Sequence, residues 1–226
     1  MIVNNSDDEL FALICKSLKS STLSDTMTNM GFSNRVLPKE IHPLSVDLGI
    51  IYGRAMPVLD GEPAEDGDLK HQAYGKLIES IEDLKENEVY ISSGGPLNVA
   101  RLGDILIERA RIKGAKGIIL NSCIRNKLAS VNVGLPIFSR GSYCYGLQKK
   151  HNIVDYRCKI DIDGVVINPG DLIFGDADGI CIIPKEFEEE IIQNTLMQQD
   201  MEKSILNDIV DGMCLHEAFK KNQIIE

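Results

Sequence analysis

Glu88-Val89-Tyr90-Ile91-Ser92, then the loop Ser93-Gly94-Gly95-Pro96-Leu97-Asn98, then Leu102, Ile105, Leu106 and Ala110 at helical spacing, then Gly114 and Gly117-Ile118-Ile119-Leu120: this stretch decides the fold. Two apolar runs of strand length flank a segment of helical period, and glycine and proline mark each change of period, which is the pattern of a βαβ unit. Parallel strands joined in this way carry ligands at their carboxyl ends. Asn121-Ser122-Cys123-Ile124-Arg125-Asn126, directly after Leu120, therefore stands where a site is expected. Arg125 follows an apolar strand among small polar residues, and its planar guanidinium suits a two-point grip on a carboxylate. Gly95 and Gly103-Asp104-Ile105-Leu106 offer backbone near a helix start, where free N–H groups and the helix dipole favour an anion. The two together make a candidate small-acid site.

Outward from this unit, apolar residues at Leu10, Leu13, Ile14 and Leu18 predict a helix over 10–18, and a second helix is expected from Thr22, with Asp25 as capping partner and Gly31 at its end. After Pro38 and Pro43, residues 49–58 read as a buried strand and 69–84 as a helix. From Ile160 onward the pattern becomes short strands at 164–167, 172–175 and 180–184. Turns are expected at Asn168-Pro169-Gly170-Asp171 and Asp176-Ala177-Asp178-Gly179, so a β-meander is predicted. A long acidic helix is expected over about 186–207 and a short last one over 215–221. No linker, repeat or low-complexity tract divides residues 1–226, so one α/β domain is predicted.

Composition limits the function. The 226 residues are 43% hydrophobic and 26% charged, enough for a substantial core. The 34 acidic against 24 basic residues give a formal charge of −10, which disfavours direct binding of nucleic acid. The first nine residues lack the basic and long apolar segments of a secretory signal. No run of about 18 apolar residues could span a bilayer, so no membrane is expected and the cytoplasm is the expected location. The six cysteines contain no C-x-x-C pair, and the four histidines show no H-x-H or H-E-x-x-H spacing, so neither a zinc site nor a disulfide framework is indicated. There is no G-x-S-x-G elbow, no Walker loop and no G-x-G-x-x-G after a strand. Asp176-Ala177-Asp178-Gly179 lacks the later oxygen ligands of a calcium loop and reads as a structural turn.

Residues 94–106 (Gly-Gly-Pro-Leu-Asn-Val-Ala-Arg-Leu-Gly-Asp-Ile-Leu), 114–126, 135–141 (Leu-Pro-Ile-Phe-Ser-Arg-Gly) and 168–179 (Asn-Pro-Gly-Asp-Leu-Ile-Phe-Gly-Asp-Ala-Asp-Gly) resemble the RraA-like family in order and spacing, as do Thr22-Leu23-Ser24-Asp25-Thr26 with Gly31 and Gly53-Arg54-Ala55. That family holds the metal-dependent 4-hydroxy-4-methyl-2-oxoglutarate aldolases and the regulators of ribonuclease E activity. The resemblance implies the family's swivelling β/β/α domain, here with the βαβ unit, a C-terminal β-meander and terminal helices, and a ring-like homotrimer or hexamer. Members are often labelled demethylmenaquinone methyltransferases, but no cofactor motif here supports that activity.

In the aldolases the strand-end motif reads D-G-x-x-R-D, the Arg holding the carboxylate of pyruvate and the last Asp a divalent metal, magnesium or manganese. By this resemblance Arg125 is the catalytic residue, residues 103–106 (Gly103, Asp104, Ile105, Leu106) with Arg125 bind a small 2-oxo acid such as pyruvate or oxaloacetate, and Asn126 stands at the metal position. Asn121 and Asn126 replace both motif carboxylates and bring no negative charge to a hard dication; Asp104 and Glu108 are candidate replacements. Two functions stay open: a lyase of the aldolase or oxaloacetate-decarboxylase type, and a non-catalytic regulator that binds a protein partner.

Overall fold

The computed structural model describes residues 7–61, 75–146 and 152–222. Its elements run α1 (Asp7–Ser17), α2 (Ser20–Asn29), β1 (His42–Pro43), β2 (Ile51–Gly61), α3 (Gly75–Glu82), β3 (Glu88–Ser93), β4 (Ala100–Leu102), α4 (Asp104–Ile112), β5 (Gly117–Leu120), β6 (Cys123–Ile124), α5 (Lys127–Asn132), β7 (Ile137–Ser139) and β8 (Asn152–Tyr156). They continue with β9 (Ile160–Ile162), β10 (Val165–Ile167), β11 (Leu172–Gly175), β12 (Ile180–Ile183), α6 (Glu188–Val210) and α7 (Leu215–Lys221). The expected helix over 69–84 falls partly outside the described residues, and its described part is α3.

Strand β2 organises the main sheet, whose order is β1-β7-β5-β3-β2-β11-β12. On one edge β2 pairs in parallel with β3. Its other edge pairs first with β11 and then, through residues 58–61, with β8. β3, β5 and β7 extend the parallel part. All four residues of β5 are buried, as expected of a parallel strand covered on both faces. Each such Ile or Leu contributes about 1.5–3 kcal/mol by leaving water.

The two faces of the sheet build separate cores. Met56, Val58, Tyr90, Ile118 and Leu120 pack against α3 and α4, with Leu77, Ile81, Ile107 and Ala110 opposite. Ala55, Val89, Ile91 and Ile119 face the small β9–β10 sheet. A third core joins α1, α2 and α6 to Leu172, Phe174, Cys181 and Ile183.

Several expectations are corrected. Ile105 points outward at 81% exposure and Ile107 takes the buried helical position, while Leu102 belongs to a strand. The C-terminal strands form no continuous meander, because β10 pairs with β9 and β11 with β2 and β12. The turn between β10 and β11 does have the expected form: the Asp171 N–H donates to Asn168 O at 3.2 Å, and Gly170 takes φ +87. α2 begins at Ser20, and Asp25 does not cap it. Instead Asp176, from the turn before β12, accepts from the Ser20 N–H at 2.9 Å and from Ser20 Oγ at 2.6 Å.

Candidate functional site

Strands β4 and β6 pair in parallel as a separate two-stranded ribbon just past β3 and β5, with Leu102 opposite Ile124. Each ribbon strand runs directly into one arm of the site. After Leu102, Gly103 is the N-cap of α4, and its carbonyl accepts from the N–H groups of Leu106 (3.0 Å) and Ile107 (3.1 Å). The N–H groups of Asp104 and Ile105 precede the first intrahelical bonds. After Ile124, the Arg125 N–H donates to Leu102 O at 2.9 Å, and the Arg125 carbonyl accepts from Ser130 Oγ at 2.9 Å. The arms abut, since a Cβ built on Gly103 would lie 3.7 Å from Arg125 Cβ.

Between them opens a cavity of about 380 Å³ lined by Gly103, Asp104, Ile105, Leu106, Arg125 and Asn126, together with Ile78, Ala100 and Arg101. The structure thus brings together every residue of the expected acid site. Arg125 is exposed and forms no ion pair among the described residues, so its guanidinium is available to an incoming anion. A shallower cleft of about 210 Å³ lies on its other side, beside Lys127, Tyr143 and Cys144.

Asn126 adopts the left-handed conformation, φ 52 and ψ 50, which Asn and Asp tolerate better than other side chains. Its Nδ2 donates to Asp104 Oδ1 at 2.7 Å. Asn121 is turned elsewhere: it is buried, and its Oδ1 accepts from Arg140 Nε at 2.8 Å. It lines neither cleft. Glu108 pairs with Arg111 on the helix surface at 2.7 Å. A divalent cation would therefore find one carboxylate, Asp104, already engaged by a neutral amide. No cluster of three or more His, Cys, Asp or Glu occurs among the described residues. Hard dications take about six oxygens and draw their affinity from carboxylate charge, so this donor set fits such an ion poorly.

At the inner end of the cavity lies a feature that the sequence did not disclose. Arg101 Nε stands 3.4 Å from Asp60 Oδ2, and the two side chains are 2% and 1% exposed. The guanidinium rests against the Gly94-Gly95 turn, where a Cβ on Gly95 would come within 2.0 Å of it. Burial pushes the Asp60 carboxyl up to about 7 although the guanidinium pulls it down, and burial lowers Arg101. Both directions say that desolvation outweighs the pair's attraction. The signal that could have found the pair is a charged residue of each sign inside an apolar strand segment, Val58-Leu59-Asp60 and Val99-Ala100-Arg101-Leu102.

The class is an α/β protein in which the two arms of the candidate site hang from a ribbon beyond a parallel sheet. The RraA-like (Aldolase/RraA) family model matches residues 20–182, and the chain belongs to that family. It is 26% identical over 180 residues to the uncharacterized protein MJ0644 of Methanocaldococcus jannaschii, covering 79% of this chain and 82% of that one. To the putative 4-hydroxy-4-methyl-2-oxoglutarate aldolase of Halalkalibacterium halodurans it is 33% identical over 136 residues, 60% of this chain and 64% of the relative. The crystal structure of Streptomyces coelicolor RraAS2, described as an unusual member of the RNase ES inhibitor RraA family, superposes with a TM-score of 0.77. It shares 23% identity, with 88% of this chain and 97% of that chain covered, and shows a common fold. Among the described residues no helix is long and apolar enough to cross a membrane.

Proposed function

We propose that the chain binds a small 2-oxo acid, such as pyruvate or oxaloacetate, between Arg125 and the start of α4, as a lyase of the aldolase or decarboxylase type whose activity is weak. The observation that carries this reading is the exposed Arg125, without an ion pair among the described residues, which lines one cavity of about 380 Å³ together with the Gly103 start of α4. Arg125 grips the carboxylate with two parallel N–H donors, and the N–H groups of Asp104 and Ile105 face the same negative charge. Such a volume admits an acid of this size and leaves space beside it for water or for a longer acid. In this reading magnesium or manganese binds weakly, because Asn126 supplies an amide where a carboxylate would add charge. The working form is a homotrimer or a hexamer, in which a neighbouring subunit covers the exposed apolar rim of the site.

The test is a calorimetric titration of the full chain with pyruvate. Wild type binds, and Arg125→Met weakens binding at least about tenfold, the loss of one charge-assisted pair. Unchanged affinity in the variant would sink the acid site. A second reading, a non-catalytic regulator that binds a protein partner, is favoured by the same Asn126 amide. It is the one left standing if neither acid is bound or turned over.

A further inference from the structure

Asp60 and Arg101 form the most buried ion pair among those described, and it is poorly satisfied. Among the described residues Asp60 Oδ1, Arg101 Nε and Arg101 Nη1 have no hydrogen-bond partner, and Nη2 reaches only Gly94 O, at 3.4 Å. A guanidinium carries five N–H donors, and a buried charge short of partners costs several kcal/mol. The surroundings are polar in the same unfinished way. Ser92 Oγ is buried without a partner. It belongs to the same sheet face as Asp60, because Val58 pairs with Ser92 and Asp60 lies two residues further along β2. Asp60 and Ser92 thus sit near the carboxyl ends of adjacent parallel strands, where sheets of this kind take ligands. Arg101 also lines the cavity that holds Arg125, and the ribbon register puts it one residue before the Leu102–Ile124 pair, with Arg125 one residue after.

We propose that Arg101, backed by Asp60, is a specificity-determining inner subsite that receives a second acidic group of the ligand, while Arg125 holds the first. The inference rests on the acid-binding reading above. Asp60, 3.4 Å from Nε, positions the guanidinium, and the glycine at position 95 leaves the slot in which it lies. An acid with carboxylates at both ends uses both arginines, whereas a monoacid uses Arg125 alone.

The experiment compares pyruvate with 2-oxoglutarate by calorimetry at pH 7, on wild type, Arg101→Lys, and the double variant Asp60→Leu with Arg101→Met. The double change removes both charges and strands neither. Wild type is expected to bind 2-oxoglutarate about tenfold or more tightly than pyruvate, the worth of an added charge-assisted contact. The double variant should keep its pyruvate affinity within about twofold and lose the preference, and Arg101→Lys should keep part of it. Equal affinity of wild type for both acids, or a double variant that retains the preference, overturns the inner subsite and leaves the Arg125 site standing. Failure of wild type to bind either acid overturns both. Thermal melts report whether the double variant folds; if it does not, the wild-type ratio and Arg101→Lys decide alone, a full preference in the lysine variant counting against the subsite.

Discussion

The Asn126 side-chain amide donates to Asp104 Oδ1 at 2.7 Å, so a neutral N–H group satisfies the one carboxylate that lines the candidate site. An Asp at 126 would instead set two carboxylates against each other, a pair that only a cation or a shared proton can reconcile.

Asn126→Asp should therefore raise manganese affinity by about tenfold or more, read by the paramagnetic signal of free Mn²⁺. Turnover of oxaloacetate, expected to be low in the native chain, should rise with it. Asn121→Asp should leave metal affinity unchanged, since that side chain faces Arg140. Strong native turnover abolished by a chelator would show that other groups supply the charge.

Asp60 makes a prediction about pH. Its carboxyl is raised to about 7, so between about pH 4 and pH 7 the folded chain holds a proton that the unfolded chain has released. Stability from this group is full at the acid end and falls as pH rises through that window, by a few kcal/mol at most. Carboxylates held low by arginines, such as Asp83 beside Arg157, act at lower pH with the opposite sign. In urea melts across pH 4–8, Asp60→Asn should flatten the fall. A wild-type profile with no decline above pH 5 would contradict it.

Association is tested at the rim of the site. Leu128 is 83% exposed and Ile105 81%, each on one of the two arms of the candidate site. Light scattering at micromolar concentration should give a trimer or hexamer, and Leu128→Glu should shift it toward the monomer. A wild-type monomer under those conditions would count against the assembled form.

Much of this arrangement could be read from the chain alone, for identifiable reasons. The run from Ile118 to Leu120, flanked by Gly117 and a polar segment, has one reading as a buried parallel strand, and that placed Arg125. The turn at 168–171 was legible because proline and glycine each dictate a backbone angle. The β4–β6 ribbon was not, since two- and three-residue strands carry no period. Nor was the turn of Asn121 away from the site, because its neighbour Arg140 comes from a later strand end. The sequence offers Asp25, within the same helix, as the capping partner of α2, whereas the acceptor lies 156 positions from Ser20 in Asp176.

That long-range cap bears on the order in which the chain can become itself. The first turn of α2 needs an acceptor for the Ser20 N–H, and the carboxylate that serves it leaves the ribosome only after most of the sheet strands have been synthesised. The amino-terminal helices are thus finished late, by a residue of the last hairpin. A nascent chain halted anywhere before residue 176 would present an α2 whose Ser20 N–H is left to water, with the Leu23 N–H bond to the Lys19 carbonyl holding the turn.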